Sequence, residues 1–142
     1  MIDDIEQPIP QGKYLPAIRH SDLIYTSGMT PRKAGVLLYS GKIHANIPVE
    51  SYRDAVHLAT MNALVATQAC LKKGEKLSTI VHLNIFLNTE PEFTEHPKIA
   101  DYASEILLKH LGAASIGTRA AIGVASLPSD APVEVTLIGK VI

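Results

Sequence analysis

The sequence predicts an α+β protein, a single sheet with two helices packed on one of its faces. Three observations carry that expectation. Val49 to Lys73 and Pro97 to His110 each repeat apolar residues at helical spacing. The segments around them alternate with period two or run as short apolar blocks bounded by turn residues. Strands and helices are interspersed in the order β-β-(β)-α-β-α-β-β, which suits two helices laid on one sheet.

After the Pro/Gly-punctuated lead Gln7-Pro8-Ile9-Pro10-Gln11-Gly12, Tyr14 to Ile18 and Leu23 to Thr26 read as a strand pair. Arg19-His20-Ser21-Asp22 makes the turn, and Ser27-Gly28 closes the second strand. Pro31 to Gly41 is loop, with Val36 to Tyr39 as a short strand candidate. In the first helix Tyr52, Val56, Ala59, Ala63, Ala66 and Cys70 form the apolar stripe. Glu50 and Asp54 sit at its start, Lys72 and Lys73 at its end, and Gly74 supplies the stop. Thr79 to Asn88 alternates, with Val81, Leu83, Ile85 and Leu87 on one side and His82, Asn84 and Phe86 on the other. The second helix buries Ile99, Ala103, Ile106, Leu107 and His110, and Gly112 ends it. Arg119 to Ser126 and Val133 to Val141 are the last strands, with Val133, Val135, Leu137 and Val141 on one face and Glu134, Thr136 and Ile138 on the other.

The chain has 142 residues, 46% apolar and only 19% charged, below the ~25% of ordinary soluble domains. Length and the absence of repeats or low-complexity linkers predict one domain over residues 1–142. The charge deficit implies a generous core or a surface covered by another subunit. Phe86, Ile138, Ala121 and Gly123 are expected on the sheet face away from the helices, and a second copy is the expected cover. Thirteen Lys and Arg against 14 Asp and Glu argue against nucleic acid or an anionic membrane as the partner. The acidic start lacks a secretory signal, and Ala55 to Leu71 is too short and polar to span a bilayer. A soluble cytoplasmic protein is expected.

No metal or cofactor is expected. The six histidines show no His-Glu-x-x-His pattern and no paired i, i+4 spacing on one helix. Cys70, the one cysteine, sits on the first helix's apolar stripe and reads as a structural thiol. Gly-x-Ser-x-Gly, phosphate-loop and dinucleotide fingerprints are absent. Two residues do break their local pattern: Arg119 opens an apolar strand, and Glu134 interrupts Val133 and Val135. They admit two readings. One is a structural ion pair on a half-buried face. The other is an anion clamp, in which the guanidinium fork holds a carboxylate and the glutamate activates a water.

The segment Gly117-Thr-Arg-Ala-Ala-Ile-Gly-Val-Ala-Ser-Leu-Pro-Ser-Asp-Ala-Pro-Val-Glu-Val resembles the C-terminal signature of the RidA/YjgF family. Tyr14-Leu-Pro-Ala-Ile and Tyr25-Thr-Ser-Gly28 resemble that family's Pro-Tyr and Thr-Ser-Gly-Gln segments, in the same order. The resemblance runs from about Gly12 to the end and is that of a divergent branch. It implies a chorismate-mutase-like fold and a homotrimer with clefts between neighbouring subunits. In the family these clefts hydrolyse enamines and imines, such as 2-aminoacrylate and 2-iminopropionate, to a 2-keto acid and ammonia. By resemblance, Arg119 is the substrate-carboxylate residue and Glu134 positions the attacking water, while Tyr14 and Ser27 shape the cleft. A protonated imine carbon is already electrophilic, so such a site needs an anchor, a water and orientation, without metal or cofactor.

Three positions depart from the family pattern. Asp101 stands where asparagine is usual, Ala121 where some members carry a thiol, and Met29 where glutamine follows Ser-Gly. A carboxylate at 101 would repel an anionic substrate unless it is protonated or turned away. The alternative is therefore a non-catalytic trimer that binds a small metabolite. An endoribonuclease or translation-inhibitor role, a label often attached to relatives, is disfavoured by the net charge of −1, two Phe and no Trp.

Overall fold

A computed structural model describes residues 6–142; the acidic start falls largely within residues 1–5, outside the described part. The strands are β1 (Ala17–His20), β2 (Leu23–Thr26), β3 (Arg32–Lys33), β4 (Val36–Leu37), β5 (Leu77–Asn88), β6 (Ile116–Val124) and β7 (Val133–Val141). The helices are α1 (Arg53–Gln68), entered through a 3-10 turn at Val49–Tyr52, and α2 (His96–Leu111). Five strands form one mixed sheet in the order β1-β2-β7-β5-β6, and β3 pairs with β4 in a separate small hairpin. Only β5 and β6 run parallel, and α2 is the crossover that a parallel pair requires.

Both helices lie on one face of this sheet. Leu83, Ile85 and Leu87 of β5 pair with Leu137, Val135 and Val133 of β7, and all six are essentially sealed from solvent. Against them pack Val56, Ala59, Ala63 and Leu64 of α1 and Ile99, Ala103 and Leu107 of α2. Burying each large aliphatic side chain is worth roughly 1.5–3 kcal/mol, and the alanines let α1 approach the sheet closely. Among the described residues, no helix is long and apolar enough to cross a membrane.

The predicted strand at Leu23–Thr26 and the one at Val133–Val141 match the observed limits. The first helix ends at Gln68, short of Lys73. Its last turn tightens, as the Cys70 N–H donates to Thr67 O and Leu71 N–H to Gln68 O, each at 3.1 Å. Glu75 then accepts from Lys72 N–H at 2.7 Å and from Arg19 Nη1 at 2.6 Å, fastening this corner to β1. Val81 does not share a face with Leu83. The register slips between Ile80 and His82, so Ile80 is buried and Val81 is turned out.

A further correction concerns β6. Its register with β5 sets Arg119 beside Leu83, Ala121 beside Ile85 and Gly123 beside Leu87. Arg119, Ala121 and Gly123 therefore face the helices, and the expectation of Ala121 and Gly123 on the open face is overturned. That face instead shows Phe86, Ile138, Ile122 and Ala120 around a polar ladder. His82 bridges Thr118 Oγ1 (2.7 Å) and Asn84 Oδ1 (2.9 Å), and Asn84 Nδ2 donates to Thr136 Oγ1 (3.2 Å).

Candidate active site

Glu134 projects from the open face of β7, opposite Phe86. The chain leaving β2 passes beside it, held by reciprocal Met29–Val135 backbone hydrogen bonds of 2.8 Å. Gly28 packs directly on it: a Cβ built there would stand 2.6 Å from the Glu134 Cδ. The Glu134 carboxylate accepts no hydrogen bond among the described residues, and burial pushes its proton affinity above that of an ordinary glutamate. A half-buried carboxylate without a hydrogen-bond partner takes up a proton more readily than one in water.

Ser27 directly precedes Gly28, and Tyr14 lies in the segment ahead of β1. Ser27 Oγ donates to Leu15 O at 2.6 Å and Ser27 N–H to Pro16 O at 2.9 Å, which clips the lead segment to the end of β2. The Tyr14 hydroxyl accepts from Gln11 N–H at 3.1 Å, and half of the side chain is exposed. Tyr14, Gly28, Met29 and Thr30, together with Leu58 and Asn62 of α1, are among the residues lining a cavity of about 140 Å³. The lining includes Tyr14 and Gly28 but neither Ser27 nor Glu134, so Gly28 is the residue that touches both the cavity and the glutamate.

Arg119 is elsewhere. It sits on the edge strand β6 under α2, where Nη1 donates to Asp101 Oδ1 at 2.7 Å and to Ser104 Oγ at 3.0 Å. Nη2 approaches the Pro97 carbonyl at 3.4 Å. Pro97, Asp101 and Ser104 are spaced four and three apart, so they share one stripe of α2. Ala121, two residues on, keeps the same face with a small side chain. Beyond it the ring of His96 covers Gly123, where a Cβ would lie 2.5 Å from Nε2.

Arg119 and Glu134 therefore do not meet within one protomer. They stand on opposite faces of the sheet with β5 between their strands, about 10 Å apart in the hydrogen-bonding direction alone. Arg119 does form an ion pair, but its partner is Asp101 rather than Glu134. Sequence reasoning missed Ser104 and the Pro97 carbonyl as braces of the guanidinium, although their spacing from Asp101 was legible. It also missed Gly28 as the platform for Glu134, which no spacing signals. Among the described residues, no group of three His, Cys, Asp or Glu is arranged to hold a metal ion.

The family model described as "YjgF/chorismate mutase-like, putative endoribonuclease" matches residues 5–140. Protein TCP17 of Trypanosoma cruzi is 30% identical over 128 residues, covering 89% of this chain and 79% of that protein. A 2-iminobutanoate/2-iminopropanoate deaminase of Dermatophagoides farinae is 29% identical over 128 residues, covering 90% of this chain and 85% of that one. The crystal structure of Atu1372 from Agrobacterium tumefaciens, a protein of unknown function, superimposes with a TM-score of 0.85 at 30% identity. That match covers 98% of this chain and 87% of the other.

Proposed function

The chain belongs to the YjgF/chorismate mutase-like family, and from that premise we propose that it is a cofactor-independent deaminase of small carboxylate-bearing imines. The observation that carries the reading is Glu134: a half-buried carboxylate of raised proton affinity, with no hydrogen-bond donor among the described residues and backed by Gly28. A carboxylate in that state holds a water and takes its proton as the oxygen attacks the imine carbon. Arg119 anchors the substrate carboxylate through the fork edge that Asp101 and Ser104 leave open. Tyr14 shapes the neighbouring cavity, and Ser27 fixes the course of the chain that carries Gly28 against Glu134. The identity to a 2-iminobutanoate/2-iminopropanoate deaminase supports this substrate class.

Because Arg119 and Glu134 occupy opposite faces, the two act together only if the arginine of one protomer meets the glutamate of another. A homotrimer with its clefts between neighbours satisfies this, and the exposed Ile18, Tyr25 and Ile122 on the open face supply apolar surface for the contact. The endoribonuclease name has no comparable support in a chain of net charge −1.

The test generates 2-iminopropionate and 2-iminobutanoate in situ with an amino-acid oxidase and follows release of keto acid and ammonia. Acceleration over the uncatalysed rate, lost in Glu134→Gln and in Arg119→Ala, is the expected result. Thermal stabilisation by 2-keto acids without turnover of any imine would replace the proposal with a ligand-binding trimer.

A further inference from the structure

Asp101 neutralises the guanidinium that the proposed reaction needs as its anion anchor. Its carboxylate is mostly exposed, with 69% of the side chain accessible, yet it is not turned away: Oδ1 takes the Arg119 Nη1 proton at 2.7 Å. Ser104 takes a second Nη1 proton. On the other edge of the guanidinium, Nε has no acceptor among the described residues and Nη2 has only the 3.4 Å approach to the Pro97 carbonyl. Asp101 Oδ2 likewise has no donor among the described residues. The pair therefore offers a two-donor fork and, beside it, an unsatisfied acceptor carrying negative charge.

We propose that Asp101 is a specificity-determining residue, which makes the anchor selective for a zwitterion bearing a cationic nitrogen next to its carboxylate. The inference rests on the reading of Arg119 as the carboxylate anchor. The substrate carboxylate takes the Nε/Nη2 edge by two parallel hydrogen bonds, and the neighbouring iminium N–H donates to Asp101 Oδ2. A negative charge at that point favours the protonated imine, which is the electrophilic form. In hydrolysis the water oxygen bonds to the imine carbon and the C–N bond breaks. Both water protons finish on nitrogen, which leaves as ammonium, while the carbon keeps the oxygen as a ketone. The substrate is thus a zwitterion and the organic product an anion. Asp101 holds the first and repels the second, so product leaves readily and inhibits weakly.

Calorimetric binding of L-alanine, an unreactive zwitterion, and pyruvate, an anion, to the full-length wild-type protein and to Asp101→Asn at one ionic strength tests this. Asparagine preserves size and an acceptor for Arg119 while removing the charge. The wild type is expected to bind alanine more tightly than pyruvate. In Asp101→Asn pyruvate affinity should rise about tenfold and alanine affinity should fall, as expected from removing one charge near the ligand. With 2-iminopropionate as substrate, inhibition by pyruvate should strengthen in parallel. A residue that only braces Arg119 would weaken both ligands together, and that result overturns the proposal. Equal binding of the two ligands by the wild type, or binding of neither, overturns it too. Absence of imine turnover with the alanine-over-pyruvate preference intact would instead sink the deaminase reading and leave this one standing.

Discussion

Gly28 and Glu134 are in contact so close that no side chain fits between them: a Cβ on Gly28 would sit 2.6 Å from Cδ and 2.8 Å from Oε2 of the carboxylate. The obstacle is the far end of one flexible side chain, so Gly28→Ala should fold and displace Glu134. A displacement of about 1 Å at a reacting group costs on the order of 10²-fold in rate. Imine turnover should fall by that order while the melting temperature changes little. A variant with full activity would show that Glu134 does not act from this position.

Burial raises the proton affinity of Glu134 in the folded protein. As the base it must be ionised, so the acid limb of kcat/KM should have its midpoint above the ordinary glutamate value of 4.5. Glu134→Gln should lower kcat by roughly 10²- to 10⁴-fold. The same shift has a stability consequence. A group whose folded-state proton affinity is raised destabilises the fold when ionised, so Glu134→Gln should gain stability over wild type as pH rises through the folded-state midpoint. Urea unfolding at several pH values measures it.

Truncation of Arg119 removes the fork and leaves Asp101 without its partner. Arg119→Ala should lose roughly 2–5 kcal/mol of transition-state binding, read from kcat/KM across several imines. Lysine keeps the charge without the two parallel donors, so Arg119→Lys should recover only part of it. Equal activity in all three proteins would remove the anchor role.

Arg19 and the Lys72 N–H hold the Glu75 carboxyl well below its usual range, down to about 2. A lowered value contributes stability that is present above about 4.5, the ordinary glutamate value, and is lost as pH falls toward 2. Glu75→Gln should therefore be less stable than wild type at neutral pH, and the gap should close on acidification through that window. Acid titrations followed by circular dichroism would show whether the two curves converge.

Gly117 lies where β6 crosses the slip in β5. A Cβ there would stand 2.7 Å from the carbonyl oxygens of Ile80 and Val81, both backbone atoms that have little room to move. Gly117→Ala should destabilise by about 1–3 kcal/mol in urea unfolding, the usual range for forced overpacking. A neutral effect would mean that the β5–β6 register relaxes more freely than this packing allows.

These residues also show how far a sequence can be read. β7 alternates large apolar residues with polar ones, so its limits and the face of Glu134 are both legible in the order of its residues. β6 is Ile-Gly-Thr-Arg-Ala-Ala-Ile-Gly-Val, and apart from Arg119 its mostly small, uncharged side chains give alternation little to act on. Its sidedness is set by parallel pairing to β5, a long-range relation that local pattern does not encode. The same holds for the slip that turns Val81 outward, which lets β5 bury Ile80 and Leu83 alike although an odd number of positions separates them. Asp101 is legible as a departure, while its contact with Arg119 depends on which stripe of α2 overlies the sheet edge.

The placement of Arg119 and Glu134 on opposite faces bears on how damage in one subunit is shared. In the proposed trimer each protomer lends its arginine to one cleft and its glutamate to another. Two inactive variants, Arg119→Ala and Glu134→Gln, then carry complementary lesions. Unfolded together in equal amounts and refolded as mixed assemblies, they would restore about one cleft in four, namely those joining the intact arginine of one to the intact glutamate of the other. Genetic complementation between two dead alleles would thus follow from the thickness of a single sheet.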